Sequence, residues 1–257
     1  MKLPALAVLI ATAFTAEVAA QSIDTIFAEV GHSAIDGRLM KPHAARVRVY
    51  RGDTLTSQWL NELTIGDSAG QPIMRWVTTS EPVPGFPGRV LSVLRQTYNA
   101  RTLAPLGYST TASNGAFVRV AIDGRFVTGT RRTAVDTTTI RVRDPIPRLG
   151  FFAGASDLVP IAAGLRHGSV MVAPVWNPLN AGMTEDRVFT VRGDTAVMVE
   201  GRLVRSTQVE EWRRTNGTLY ATWYLLLESP YMVYGELPLP DGRVQRITEV
   251  EVPPRKP

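Results

Sequence analysis

The chain has 257 residues, 44% hydrophobic and 20% charged, and its 28 Lys and Arg outweigh 23 Asp and Glu to leave a formal charge of +5. That composition belongs to a globular protein and excludes a disordered or collagenous one. Cysteine is missing, which removes disulfide frameworks, thiolate metal sites, cysteine nucleophiles and lipidated cysteines, and no apolar run beyond residue 20 is long enough for a membrane-spanning helix.

Residues 1–20 have the form of a secretory signal: Met1 and Lys2 are the positive end, Leu3 to Phe14 the apolar stretch, and Val18, Ala19 and Ala20 the small-residue cleavage site. Cleavage after Ala20 leaves Gln21 as the new amino terminus and places the protein in a periplasm or outside the cell. The leader carries Lys2 and Glu17, so its removal leaves the net charge unchanged. Residues 21–44 show weak periodicity and are expected to be loosely ordered.

From residue 45 a period of two takes over, and a single β domain is expected over 45–252. Val47 and Val49 alternate with Arg46 and Arg48, Val118 and Val120 with Phe117 and Arg119, and Ile140 and Val142 with Arg141 and Arg143. One apolar face per strand indicates antiparallel sheet, because parallel strands covered on both faces read as continuous apolar runs. Asn114 with Gly115, Asp123 with Gly124, Asn216 with Gly217, and Asp241 with Gly242 are turn pairs suited to tight hairpins. The three "DGR" strings at 36–38, 123–125 and 241–243 are unequally spaced, so they are recurrent turns and not a repeat.

The segment 81–88, EPVPGFPG, is expected to be a rigid loop presenting Phe86 as a contact for a partner, and 176–186 a second loop. A short helix is predicted from Ser156 or Asp157 to Leu165, with Pro160 confined to its first turn and Gly164 weakening its end. Its apolar face must pack on the sheet. The aromatic strands after Thr218 suit the centre of the sheet, and 253–257, PPRKP, is expected to be a frayed tail. The fold class is therefore all-β: a large curled antiparallel sheet, or half-open barrel, around one short helix.

Several runs carry a family resemblance: YNARTLAPLGYSTTA at 98–112, VAIDGRFVTGTRR at 120–132, SDLVPIAAGLRHGSVMVAPVWNP at 156–178, RVFTVRGDTAVMVEG at 187–201 and LYATWYLLLESPYMVYGELPLPDGRV at 219–244. In this order they resemble an uncharacterised exported bacterial family, a domain of unknown function whose sheets are similar to the open barrel of the lipoprotein-carrier class. The resemblance covers about residues 90–252 and implies a long antiparallel sheet curled round a short helix. It brings no catalytic residues. Pro160 and Gly164 depart from the pattern, since helix formers are expected at both positions.

No constellation for catalysis emerges from the spacing. His32, Ser33 and Asp36 lie too close on one segment to form a triad, Glu210 and Glu211 point to opposite faces of a strand, and Glu228 and Glu236 flank a break. His32, His43 and His167 are far apart and unsuited to a metal, with His167 expected at the carboxyl end of the helix. No catalytic residue, metal ligand or cofactor is assigned, and the chain is expected not to be an enzyme. The arginines occupy outward strand positions and do not form a nucleic-acid patch.

What remains is an aromatic set, of which Trp76, Tyr98, Trp176, Trp223 and Tyr234 are the candidate ligand-lining residues. Trp223 shares a strand face with Ala221 and Leu225, while Tyr220 and Tyr224 take the other, so both faces need cover. The expected function is an extracytoplasmic, non-enzymatic binding or carrier module for a hydrophobic ligand such as a lipid, peripheral to a membrane at most. The alternative is a structural or protein-interaction module of the cell envelope with no small-molecule ligand. An open sheet has free edges, which makes an edge-to-edge homodimer an expected assembly.

Overall fold

The computed structural model describes residues 25–86, 89–178 and 183–253. The signal segment 1–20, residues 21–24 and the last four residues of the expected tail lie outside them. In chain order the strands are β1 (Thr25–Phe27), β2 (His43–Arg51), β3 (Thr54–Ser68), β4 (Gln71–Glu81), β5 (Ser92–Asn99), β6 (Pro105–Ala112), β7 (Phe117–Asp123) and β8 (Phe126–Arg132). They continue with β9 (Ile140–Pro145), β10 (Phe151–Phe152), the helix α1 (Leu158–Ala162), β11 (Val170–Trp176), β12 (Thr184–Val199) and β13 (Arg202–Arg213). The last three are β14 (Thr218–Leu225), β15 (Met232–Pro238) and β16 (Val244–Glu251).

All sixteen strands described belong to one sheet, in the order β1-β11-β12-β13-β14-β15-β16-β2-β3-β4-β5-β6-β7-β8-β9, with β10 pairing β11 off that path. Every pairing is antiparallel except β1 and β10, which both run parallel to β11. The glycines of the four predicted turn pairs, Gly115, Gly124, Gly217 and Gly242, all have positive φ and sit between consecutive strands. The strand β16, last in sequence, pairs with β2. The aromatic carboxyl-terminal strands consequently occupy the middle of the sheet.

Alternation sets which side chains turn inward. On β2 Ala45, Val47 and Val49 are buried while Arg46 and Arg48 face out, where they pair with Glu81 and Glu200. The inward positions of distant strands then meet in one core. Val47 and Trp76 from one half of the sheet, Phe189, Val209 and Trp223 from the other, and Leu158, Val159, Ile161 and Ala162 of α1 belong to the same packed cluster. For one face of the sheet to surround one helix, the sheet must curl, and the right-handed twist of long antiparallel strands supplies the curl.

The helix is shorter than predicted. It spans five residues, all buried, and Pro160 is the third of them; the chain turns away at Gly164 and Leu165, both with positive φ. His167 does not interact with the helix end. Its imidazole instead sits on the β-bulge of β12, with Nε2 2.8 Å from the carbonyl oxygen of Arg192 and the ring over Gly193. A Cβ at Gly193 would approach the ring to 2.6 Å, so the histidine fits because the bulge residue has no side chain.

Residues 25–44 are not loosely docked. β1 pairs with β11, a 3₁₀ turn follows at Gly37–Leu39, and Ala28, Ile35 and Met40 are in the core. Tyr231 fastens the end of this segment by accepting a hydrogen bond from the Lys41 amide. Three core side chains placed irregularly, as here, leave no periodicity for a sequence pattern to show. Beyond its bulge the β12–β13 hairpin reaches the outer face of the central strands, where Glu200 pairs with Arg48, and Met198 borders the same hollow as Tyr50 and Tyr234. It is this arm that covers the second apolar face of the aromatic strands.

Candidate functional site

The inward faces of β2 to β5 and β14 to β16 leave a recess of about 270 Å³ beside the amino-terminal end of α1. Register explains its walls. Trp59 on β3 stands opposite Val47, Asn61 opposite Thr78 on β4, Thr78 opposite Leu94 on β5, and Glu249 on β16 opposite Val47. Trp76 lies two residues before Thr78 on the same face, and Trp223 on β14 is directly opposite Gly235 on β15. A Cβ at Gly235 would lie 2.7 Å from the Trp223 ring, so glycine there is what lets the indole lie flat on the neighbouring strand. The helix start contributes Asp157 and Gly154, the latter exposed at the mouth.

Three indoles, Trp59, Trp76 and Trp223, therefore converge on one small space together with carboxylates. Trp76 Nε1 donates to Thr78 Oγ1 (3.2 Å), Thr78 Oγ1 donates to Asn61 Oδ1 (2.8 Å), and Asn61 Nδ2 donates to Glu249 Oε1 (3.3 Å). Behind the opposite wall Glu211 on β13 accepts from Trp223 Nε1 (2.8 Å), from Ser156 Oγ (3.3 Å) and from Arg187 Nη1 (3.0 Å). Arg187 on β12 also holds Glu185 at 2.9 Å and lies 3.9 Å above the Tyr220 ring. Two of the three indole N–H groups are thus fixed by chains that end on buried carboxylates.

The interior raises carboxyl pKa values. Burial pushes Asp157 up to about 6, although the backbone amides of Asp157 and Leu158 pull the other way. Burial pushes Glu211 to about 7, against the opposing effects of Arg187 and Trp223. Glu249 is held well above the usual range by burial first and by the charge of Asp157 second. Asp157 thus resists ionising together with either glutamate, and the Arg187 guanidinium pairs with Glu211. Among the described residues no set of three or more histidines and carboxylates is arranged to hold a metal ion.

Of the aromatic residues predicted to line a site, Trp76 and Trp223 are at the recess. Tyr98 and Trp176 are not: both are buried in the core around Phe152, with ring centroids 5.2 and 5.7 Å from it, and Tyr98 donates to Gln96. Tyr234 lies on the outer face, edge-on to Tyr224 and donating to Glu236. Phe86 is 43% exposed on its loop and does not line the recess; it borders a separate hollow with Trp59, Arg51 and Arg89. Sequence reasoning missed Trp59, Asn61, Asp157, Glu211 and Glu249. Asp157 was legible only as a candidate helix cap; in the structure it takes the cap position without capping through its side chain.

No protein-family model and no curated protein matches this chain. Among solved structures it is similar to a beta-barrel-like protein of domain of unknown function DUF1849 from Brucella abortus, at 11% identity and a TM-score of 0.46, covering 81% of this chain and 95% of that one.

Proposed function

We propose that the protein is an extracytoplasmic, non-catalytic binding module that holds a small hydrophobic group in the tryptophan-walled recess. The observation carrying this reading is the convergence of Trp59, Trp76 and Trp223 on a space of about 270 Å³ that α1 leaves open beside its first turn. At about 30 Å³ per water molecule the recess has the room of roughly nine waters. A lipid would be held there by one end, because the rest of the concavity is occupied by the buried side chains of α1. The export part of the proposal rests on the form of residues 1–20.

The test is native mass spectrometry of the protein purified from a bacterial periplasm. A mass beginning at Gln21 with a discrete adduct is expected; a bare mass that persists after incubation with envelope lipids contradicts the binding role. A second reading, an envelope module that contacts another protein, is favoured by one feature: Phe86 is exposed on a loop rich in proline and glycine. Exchange of Phe86 for Ser separates the two, since it leaves an adduct in place and removes a protein contact.

A further inference from the structure

We infer that the group held in the recess is an organic cation, an ammonium carrying apolar substituents. The inference rests on the binding role just proposed and names the chemical class of its ligand.

Three observations lead to it. Three of the lining residues are tryptophans, and an indole face attracts cations more strongly than any other side-chain ring. None of the residues lining the recess is basic, while Asp157 and Glu249 both line it. Glu249 is 2% exposed and accepts a hydrogen bond from Asn61 at Oε1. A buried carboxylate beside a recess with no basic residue in its lining is costly to ionise, and a cation in the recess offsets that cost. Arg187 does not serve, because its guanidinium is committed to Glu185 and Glu211.

An anion is excluded by the same charges, and a neutral apolar molecule gains from the indoles alone. A trimethylammonium group meets both requirements: its methyls pack on the rings and its charge, spread over the methyl surface, faces the carboxylates without demanding a water shell. Titration supports the geometry. Asp157 at the start of α1, Glu249 on β16 and Glu211 on β13 are raised by burial; Tyr98 faces Asp157, while Arg187, with its partner Glu185, and Tyr220 face Glu211. A cation entering this group favours the ionised carboxylates and expels protons.

The experiment is a tryptophan-fluorescence titration of the full protein with choline and, in parallel, with 3,3-dimethyl-1-butanol, its neutral carbon isostere. Choline is expected to bind about tenfold more tightly than the alcohol, with an affinity that rises from pH 5 to pH 8 while the affinity for the alcohol stays level. In the Asp157→Asn, Glu249→Gln double variant, whose fold is checked by circular dichroism, the preference for choline is expected to fall toward one. Equal binding of the two probes, or a preference unchanged in the double variant, overturns the cation and leaves the binding role standing. If neither probe changes the fluorescence at millimolar concentration, the recess is no binding site and both readings fail.

Discussion

Glu211 has no exposed surface, and it is paired with Arg187, itself 8% exposed. Deleting one partner of such a pair leaves the other buried and uncompensated, so Arg187→Met is expected to cost about 3–5 kcal/mol of stability, read from urea unfolding at pH 8. Adding Glu211→Gln to that variant should restore much of the loss; strictly additive losses would show that the two residues do not act as a pair. Asp157 has a pH signature. Its carboxyl loses its proton near the ordinary 3.8 in the unfolded chain and near 6 in the folded one, so between those values the folded state holds more protons. Stability contributed by this residue is therefore present at acid pH and drains as pH rises through about 6. Thermal melts are expected to show that decline, and Asp157→Asn to flatten it; an unchanged slope would mean the carboxyl titrates normally. Neither residue stood out in the sequence, because period two places Glu210 and Glu211 on opposite faces without saying which face is inside. On β13 the inner face also carries Val209, but Trp212 on the outer face is as apolar, and only packing against β12 and α1 decides.

Elements were legible where local chemistry fixes them. The four Asx-Gly turns and the alternating strands around Val47 and Val120 follow from backbone preferences and one-sided burial, which act over a few residues. The segment 25–44 and the β12–β13 arm were not, since β1 is a parallel strand of three residues and the arm is directed by a bulge at Gly193. Both depend on partners far away in sequence. The recess is fixed by one such long-range fit, Trp223 upon Gly235. Gly235→Ala puts a methyl 2.7 Å from the ring and is expected to cost about 1–3 kcal/mol as the indole is displaced. Tryptophan emission should shift at the same time. A variant as stable as the natural protein with unaltered emission would show that the ring does not lie where the structure puts it.

At the scale of the whole molecule, curling a fifteen-strand path round one short helix creates an interior too large for that helix to fill everywhere, and the remaining room lies beside its first turn. The sequence announced a curled sheet with a helix against it, and the structure has that form. It could not announce the recess, whose walls come from β2 to β5, β14 to β16 and the segment ahead of α1. The path also ends in two edges, β1 and β9. Pairing through β9 would make the expected homodimer, and light scattering over a concentration series should then show a dimer mass; a monomer throughout would mean that Arg141, Arg143 and Pro145 keep that edge unpaired. The central claim, that the indole recess is the binding site, is tested most directly by ¹⁹F NMR of protein labelled with 5-fluorotryptophan. The chain has five tryptophans, and their resonances are assigned by single exchanges to Phe. Choline should move the signals of Trp59, Trp76 and Trp223 and leave those of Trp176 and Trp212 in place. Movement confined to Trp176 and Trp212, or none at all, would contradict the account.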